Sequence, residues 1–295
     1  MKIWHDDPQP LAHEPLLLGE GPAWDAETGT LSLVDIDGRA FVTIAERRIT
    51  RTTTHDMIGC AVPWTSQLWL AAAGTKVLGL APDGGTVAFA TLPGNASLYR
   101  ANDGKCDPAG RFWVGVMARD ASAGCGTLCV VDGDGDVRTM LSGLTIPNGL
   151  GWSPDGSTMY VTDTAPGTIT AYDFAITTGA LTNPRTLITI DPRFGGPDGL
   201  TVDTDGHVWS ALWDGGAVLR IAPDGAVVAV VELPVPRLAS CCFAGPDLTE
   251  LIVTSASVAL EPDVLHRYPL SGSSFRLRTD FQGLAATRFQ GRVPA

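Results

Sequence analysis

One strand-and-turn pattern recurs six times along the chain, and this repetition constrains the fold more than any other feature. The copies begin at Glu20, Ile58, Asn102, Asn148, Asp198 and Ala239, with spacings of 38, 44, 46, 50 and 41 residues. In each copy a turn opens five residues later, at Asp25, Pro63, Asp107, Ser153, Asp203 and Ala244. Periods of about 40 to 50 residues are typical of repeat architectures, so six similar units are expected.

Within each unit, short β-branched and aromatic runs alternate with Gly, Pro, Asn and Asp, as in "STMYVTD" and "TITAYDF" of the fourth copy. Such runs predict strands joined by tight turns, and no helical period persists beyond about ten residues. Six units of three or four strands predict an all-β, six-bladed β-propeller with a central channel. We expect one domain over residues 1–295, with N-terminal residues completing the last blade beside "VLHRYPL". A β-sandwich is the alternative, but it gives no reason for six copies.

Composition and charge exclude several classes of binding partner. The chain has 295 residues, 44% of them apolar and 18% charged, which is enough to bury a large core. Its formal charge of -12 and its lack of a Lys/Arg run argue against nucleic acid or anionic lipid as a partner. The segment "MKIWHDDPQP" has neither the basic region nor the apolar core of a signal peptide, and no apolar run reaches the length of a membrane span. We therefore expect a cytoplasmic protein, with no membrane or nucleic-acid partner, that acts on a neutral or cationic small molecule; the oligomeric state stays open.

The register of the repeat identifies a candidate site. Ordinary hairpin turns account for the Asp-Gly pairs at residues 83, 155, 205 and 224. Asp198 differs because it precedes the first strand of its unit, and Glu20, Asn102 and Asn148 share this register. Closing the ring should bring these four side chains to the channel mouth, where their oxygens favour one divalent cation. Ca²⁺ is the first choice, with Mg²⁺, Mn²⁺, Zn²⁺ or Fe²⁺ as alternatives. A polar, water-filled channel without a metal also fits this pattern.

Other motifs in the sequence give weaker evidence for a functional site. The run "DGDGD" at Asp132 resembles a calcium loop, but Val137 replaces the required Gly and no Glu follows, so a polar turn is expected. Cys60, Cys106, Cys241 and Cys242 lie in apolar runs and are expected to be reduced and buried. There is no G-x-S-x-G motif for a serine hydrolase. The histidines show no ligand spacing, although His55 lies just before an inner strand.

Several longer segments resemble the regucalcin and gluconolactonase family of six-bladed propellers. They are "LGEGPAW" at Leu18, "YRANDGKCDPAGRFWVGVM" at Tyr99, "IPNGLGWSPDG" at Ile146, "GGPDGLTVDTDGHVW" at Gly195 and "SCCFAGPDLTELIVTSA" at Ser240. The resemblance implies one divalent metal held by Glu20, Asn148 and Asp198. It also implies that Arg100 and Asn102 bind the substrate, with Asp103 nearby. The reaction it implies is hydrolysis of a sugar lactone to the aldonic acid.

This chemistry leaves some roles open. Asp198 is the first candidate for the general base, and Asp103 is the second because metal ligation lowers the basicity of Asp198. Two other functions remain as alternatives, a non-catalytic calcium-binding or regulatory propeller and a propeller esterase or phosphotriesterase acting on bulkier esters. The loop "ARDASAGCG" after Met117 is short, so a lid over the site is expected to be reduced. The sequence does not identify the sugar.

Overall fold

A computed structural model describes residues 7–11, 14–46 and 48–294. Within these residues the chain forms six four-stranded antiparallel sheets, one α-helix, α1 (Pro262–Arg267), and one 3₁₀ turn, Pro192–Phe194. The strands in chain order are β1 (Gln9–Pro10), β2 (Gly19–Asp25), β3 (Thr30–Asp35), β4 (Ala40–Ala45), β5 (Arg48–Thr53), β6 (Ile58–Pro63), β7 (Trp69–Ala73), β8 (Lys76–Leu80), β9 (Thr86–Thr91), β10 (Tyr99–Cys106), β11 (Phe112–Ala118), β12 (Gly126–Val131), β13 (Val137–Leu144), β14 (Pro147–Trp152), β15 (Thr158–Asp163), β16 (Thr168–Ala175), β17 (Ala180–Thr189), β18 (Gly196–Val202), β19 (Val208–Trp213), β20 (Ala217–Ile221), β21 (Val227–Glu232), β22 (Leu238–Ala244), β23 (Glu250–Ser255) and β24 (Phe275–Arg278).

Each sheet is one blade, and the blades close into a ring. Blades one to five each consist of four consecutive strands, starting at β2, β6, β10, β14 and β18. The sixth blade contains β22, β23 and β24, and β1 adds its outer strand through the pair Pro10 and Phe275. The innermost strands contact their neighbours around the ring, including β22 with β2. The predicted six-bladed, all-β propeller is therefore confirmed.

The prediction that the N-terminal strand pairs with the "VLHRYPL" segment was wrong. The "VLHRYPL" segment mostly forms α1 rather than a strand. Pro262 at the start of the helix, Asp263 in its first turn and basic residues in its last turn favour this local structure. The strand is supplied instead by β24, in which Phe275 and Leu277 are buried and alternate with the exposed Arg276 and Arg278.

A bulge interrupts every innermost strand near its start. In blades one, three, four and five, two residues of the inner strand face a single residue of the next strand. Asn102, Asn148 and Asp198 lie in these bulges, and Glu20 is the last paired residue before one. Asp198 thus lies within β18, not ahead of it as the sequence predicted. The bulge frees these side chains from the regular alternation of the strand.

Glycine follows Asn148 and Asp198 because adjacent inner strands approach closely there. A Cβ atom on Gly149 would lie 2.6 Å from the carbonyl oxygen of Asp198 on the next blade. A Cβ atom on Gly199 would lie 2.7 Å from the Cα atom of Ser240 on the blade after that. These contacts leave no room for a larger residue, so the glycines set the narrow width of the ring at the level of the candidate site.

The C-terminal segment crosses the end of the channel remote from Glu20. Gly283 bridges to Asp203, and the N–H of Phe289 donates to the carbonyl of Pro63. The Arg288 guanidinium bonds to the Asp25 carboxylate at 3.1 Å. These contacts join blades one, two and five below the channel. Across residues 7–11, 14–46 and 48–294, the helical segments are too short and too polar to traverse a lipid bilayer.

Candidate metal centre

Three carboxylates are buried together at the bulges. Glu20, Asp103 and Asp198 are only 4%, 6% and 4% exposed. Burial, reinforced by the charge of Asp103, raises the pKa of Glu20 from 4.5 to about 8. Burial and the charges of Glu20 and Asp103 raise the pKa of Asp198 well above its ordinary range, and burial also raises the pKa of Asp103. The three groups therefore repel one another and gain from a nearby cation.

Asn148 adds an oxygen that lacks a hydrogen-bond partner. Its Nδ2 donates to Thr164 Oγ1 at 3.1 Å and to Asp198 Oδ1. Its Oδ1 is buried and accepts no hydrogen bond from the described residues. A buried carbonyl without a hydrogen-bond partner destabilises the fold by about 1 to 3 kcal/mol. A ligand bound to this oxygen would therefore be stabilising.

Asn102 shares the register of Asn148, but its amide is already bonded. Arg100 Nη1 donates to Asn102 Oδ1 at 2.7 Å and to the carbonyl of Ala101 at 2.9 Å. Asn102 Nδ2 donates to the carbonyl of Pro147 on the next blade at 3.1 Å. Because Arg100 donates to the Asn102 oxygen, Asn102 differs from Asn148, whose side-chain oxygen accepts no hydrogen bond from the described residues.

These donors suit a hard divalent ion. Glu20, Asp198 and Asn148 supply two carboxylates and one amide oxygen, without a thiolate or an imidazole. The unpartnered oxygen of Asn148 and the repulsion between the buried carboxylates would both be relieved by a cation. The residues therefore fit the metal expected from the sequence, and the oxygen ligands alone do not distinguish between Ca²⁺, Mg²⁺ and Mn²⁺.

A second acidic cluster lies at the turn after β18. Asp203, Asp205 and His207 lie close enough together to share an ion. However, Asp203 Oδ1 accepts from the backbone of Asp205 and His207, and its Oδ2 accepts from Trp209 Nε1 and from Arg220 Nε at 2.8 Å. Arg220 therefore already provides the positive charge, and we interpret this cluster as a clamp on the turn.

The Asp132 run is a turn in which Oδ1 accepts from the N–H groups of Asp134 and Asp136. All six cysteines are free thiols, and Cys125 is exposed while the others are buried, which confirms the prediction for the four in apolar runs. His55 is exposed in the loop before β6. Of the "MKIWHDDPQP" segment, residues 1–6 lie outside the described residues.

The sequence reasoning missed Lys105. This residue lies on β10, three positions after Asn102, and its side chain contributes to a cavity of about 290 Å³ inside the channel. Asp103, Thr201, Cys241 and, from the C-terminal segment, Leu284 also line this cavity. A lysine in an innermost strand was the available signal, because such strands are otherwise mostly buried and uncharged.

Comparisons with known proteins identify the family of the chain. Residues 18–257 match the family model described as "SMP-30/Gluconolactonase/LRE-like region". The chain belongs to this family. Among the curated members, regucalcin from Oryctolagus cuniculus is 34% identical over 268 residues, covering 88% of this chain and 90% of the relative. Regucalcin from Danio rerio is 33% identical, with the same coverage.

Solved structures extend the comparison to three dimensions. A protein described as a calcium-binding protein, regucalcin, from Agrobacterium tumefaciens superposes with a TM-score of 0.92 at 30% identity, covering 96% of this chain and 97% of that one. A luciferin-regenerating enzyme superposes with a TM-score of 0.90 at 28% identity, covering 96% and 99%. A gluconolactonase from Xanthomonas campestris has a TM-score of 0.72 at 21% identity over 94% and 96%, which shows a shared fold.

Proposed function

We propose that the chain is a metal-dependent lactonase that hydrolyses a sugar lactone to the aldonic acid. The observation that carries the proposal is the unpartnered Asn148 oxygen beside the buried carboxylates of Glu20 and Asp198. Membership of a family that includes gluconolactonases and a luciferin-regenerating enzyme supports a hydrolase. A small-molecule substrate agrees with a narrow channel and an acidic chain.

Glu20, Asn148 and Asp198 would hold one divalent ion. When bound, this ion would polarise the lactone carbonyl and stabilise negative charge on its oxygen. Calcium is our first choice because the Agrobacterium tumefaciens relative is described as calcium-binding. The ion would also remove the cost of ionising Glu20 and Asp198, whose pKa values burial raises in the folded chain.

Arg100 and Asn102 would orient the substrate. The Asn102 oxygen and the carbonyl of Ala101 fix one end of the Arg100 guanidinium. Its remaining N–H groups would donate to the ring oxygen or hydroxyl groups of the sugar, since a guanidinium is a fork of five donors. Holding the lactone in one orientation lowers the entropic cost of reaching the transition state.

A carboxylate would accept the proton of the attacking water. Asp198 is the first candidate because it lies beside Asn148 and inside the bulge. Asp103 is the second, since its Oδ1 accepts from the Gly104 N–H at 2.7 Å, and its other oxygen accepts no backbone hydrogen bond from the described part of the chain. Hydrolysis converts a neutral lactone into an anion, and the surrounding carboxylates would then favour release of the product.

The relatives described as regucalcin favour one alternative, a calcium-binding propeller without turnover. The test is a pH-monitored assay over several aldonolactones in the presence of Ca²⁺, Mg²⁺, Mn²⁺, Zn²⁺ or Fe²⁺, with spontaneous opening subtracted. We expect metal-dependent turnover that Asp198→Ala abolishes in a folded protein. Asp155→Ala is the matched control, because Asp155 lies in a surface turn. Metal binding without turnover on any lactone would favour the alternative.

A further inference from the structure

Lys105 spans the channel between two blades that are not adjacent. Its strand, β10, is the innermost strand of blade three, and its Nζ donates to the carbonyl of Leu200 at 2.7 Å. Leu200 lies on β18, the innermost strand of blade five, two residues after Asp198. Blade four separates these strands. The hydrogen bond therefore connects the strand that carries Asp103 with the strand that carries Asp198.

The ammonium group also complements the buried charge. Lys105 is the foremost influence that lowers the pKa of Asp103 against the effect of burial. Arg100 in the same way lowers the pKa of Glu20, although this effect is smaller than the increase caused by burial. Arg100 donates a hydrogen bond to the Asn102 side chain, near the start of β10, whereas Lys105 lines the interior cavity. The two cations thus act on different carboxylates from different levels of the channel.

The local packing leaves the ammonium partly free. One N–H group bonds to Leu200, and two remain, because an ammonium has three donors. The cavity of about 290 Å³ next to Lys105 can accommodate several water molecules beside its polar wall of Asp103 and Thr201. Water in the cavity could therefore satisfy the two remaining donors, while the acceptor at Leu200 fixes the ammonium on the opposite side of the channel.

We propose that Lys105 is a positioning residue of the reaction centre: its ammonium ties β10 to β18 across the channel and balances the Asp103 carboxylate from the interior side. In this role it keeps Asp198 and Asp103 at a fixed separation without contacting the substrate. The role in turnover rests on the proposed lactonase function, whereas the tie between the strands does not.

The first test compares Lys105→Met with Lys76→Met. Methionine keeps the aliphatic length but removes the charge and the donor, and Lys76 is an exposed lysine on β8. We expect kcat on an aldonolactone to fall by about 10- to 100-fold in Lys105→Met with KM changed less than about 2-fold, since small displacements of reacting groups have effects of this size. Lys76→Met should match the wild type. A kcat within 2-fold of the wild type in Lys105→Met would overturn the role in turnover.

The second test asks whether an added amine replaces the missing one. Lys105→Ala enlarges the cavity, so ethylammonium chloride should restore activity with saturation, and sodium chloride at equal concentration should not. Recovery with ethylammonium supports a specific ammonium role. Loss of activity with no recovery, accompanied by a lower unfolding temperature, would identify Lys105 as a packing residue and overturn the proposal.

A third measurement separates the tie from the catalytic function. In metal-free protein, Lys105→Met should speed amide hydrogen exchange in a peptide that covers residues 197–201, and Lys76→Met should not. Unchanged exchange in Lys105→Met would overturn the tie. If the wild type hydrolyses none of the lactones but the exchange changes as expected, the proposed function and the role of Lys105 in turnover fail, while the cross-channel tie is supported.

Discussion

Glu20 should make the metal-free protein less stable as the pH rises. Its pKa increases from 4.5 in an exposed setting to about 8 in the folded chain, which corresponds to about 5 kcal/mol. A carboxyl group with a raised pKa holds its proton more tightly when folded. Its contribution to the free energy of unfolding is therefore complete below pH 4.5 and is lost as the pH rises toward about 8. Between pH 5.5 and 7.5 this loss amounts to about 2 to 3 kcal/mol.

The assay is urea unfolding of chelator-treated protein at several pH values, with the wild type compared with Glu20→Gln. The amide cannot ionise, and its neutral side chain also removes a charge that raises the pKa of Asp198. The variant should therefore lose much less stability than the wild type over the same pH range. Adding a divalent ion should stabilise the wild type more at pH 7.5 than at pH 5.5, because metal and proton compete for the same oxygens. Equal pH dependence in both metal-free proteins would refute the reasoning.

Two further predictions concern packing. Gly199→Ala should lower the free energy of unfolding by about 1 to 3 kcal/mol, measured by urea unfolding, because the new Cβ atom would lie 2.7 Å from the Cα atom of Ser240. Gly85→Ala in an exposed turn is the matched control and should change stability much less; equal losses would contradict the close-approach explanation. Native protein should react with a thiol reagent at Cys125 alone, and unfolded protein at all six cysteines. Rapid reaction of several thiols in native protein would show that the inner strands open readily.

The repeat predicted much of the architecture because each copy must bury similar strands against its neighbours. The positions of Glu20, Asn148 and Asp198 followed from register alone, and the structure places Glu20 and Asp198 as buried, mutually repelling groups. Their assignment as metal ligands remains a prediction. Register could not separate Asn102 from Asn148, because the distinction depends on Arg100, which takes the oxygen of only one of them.

Features that depend on three-dimensional register were harder to predict. The bulge places Asp198 inside β18, although the local sequence suggested a residue ahead of the strand. The outer strand of the last blade pairs with β24 because Phe275 and Leu277 alternate correctly, while Pro262 starts a helix earlier in the same region. Lys105 was missed because its partner, Leu200, is 95 residues away along the chain.

A metal titration that follows both the bound ion and the reaction rate distinguishes a metal-dependent lactonase from a metal-binding propeller without turnover. Metal-stripped protein would be titrated with Ca²⁺, and separately with Mn²⁺. At each step the amount of bound ion would be measured, together with the initial rate of hydrolysis of an aldonolactone that the protein accepts as a substrate. The account predicts that the rate and the bound metal saturate together at one ion per chain, and that Asp198→Ala removes both. A rate that does not change while one ion binds, or full activity in the stripped protein, would contradict a metal-dependent lactonase.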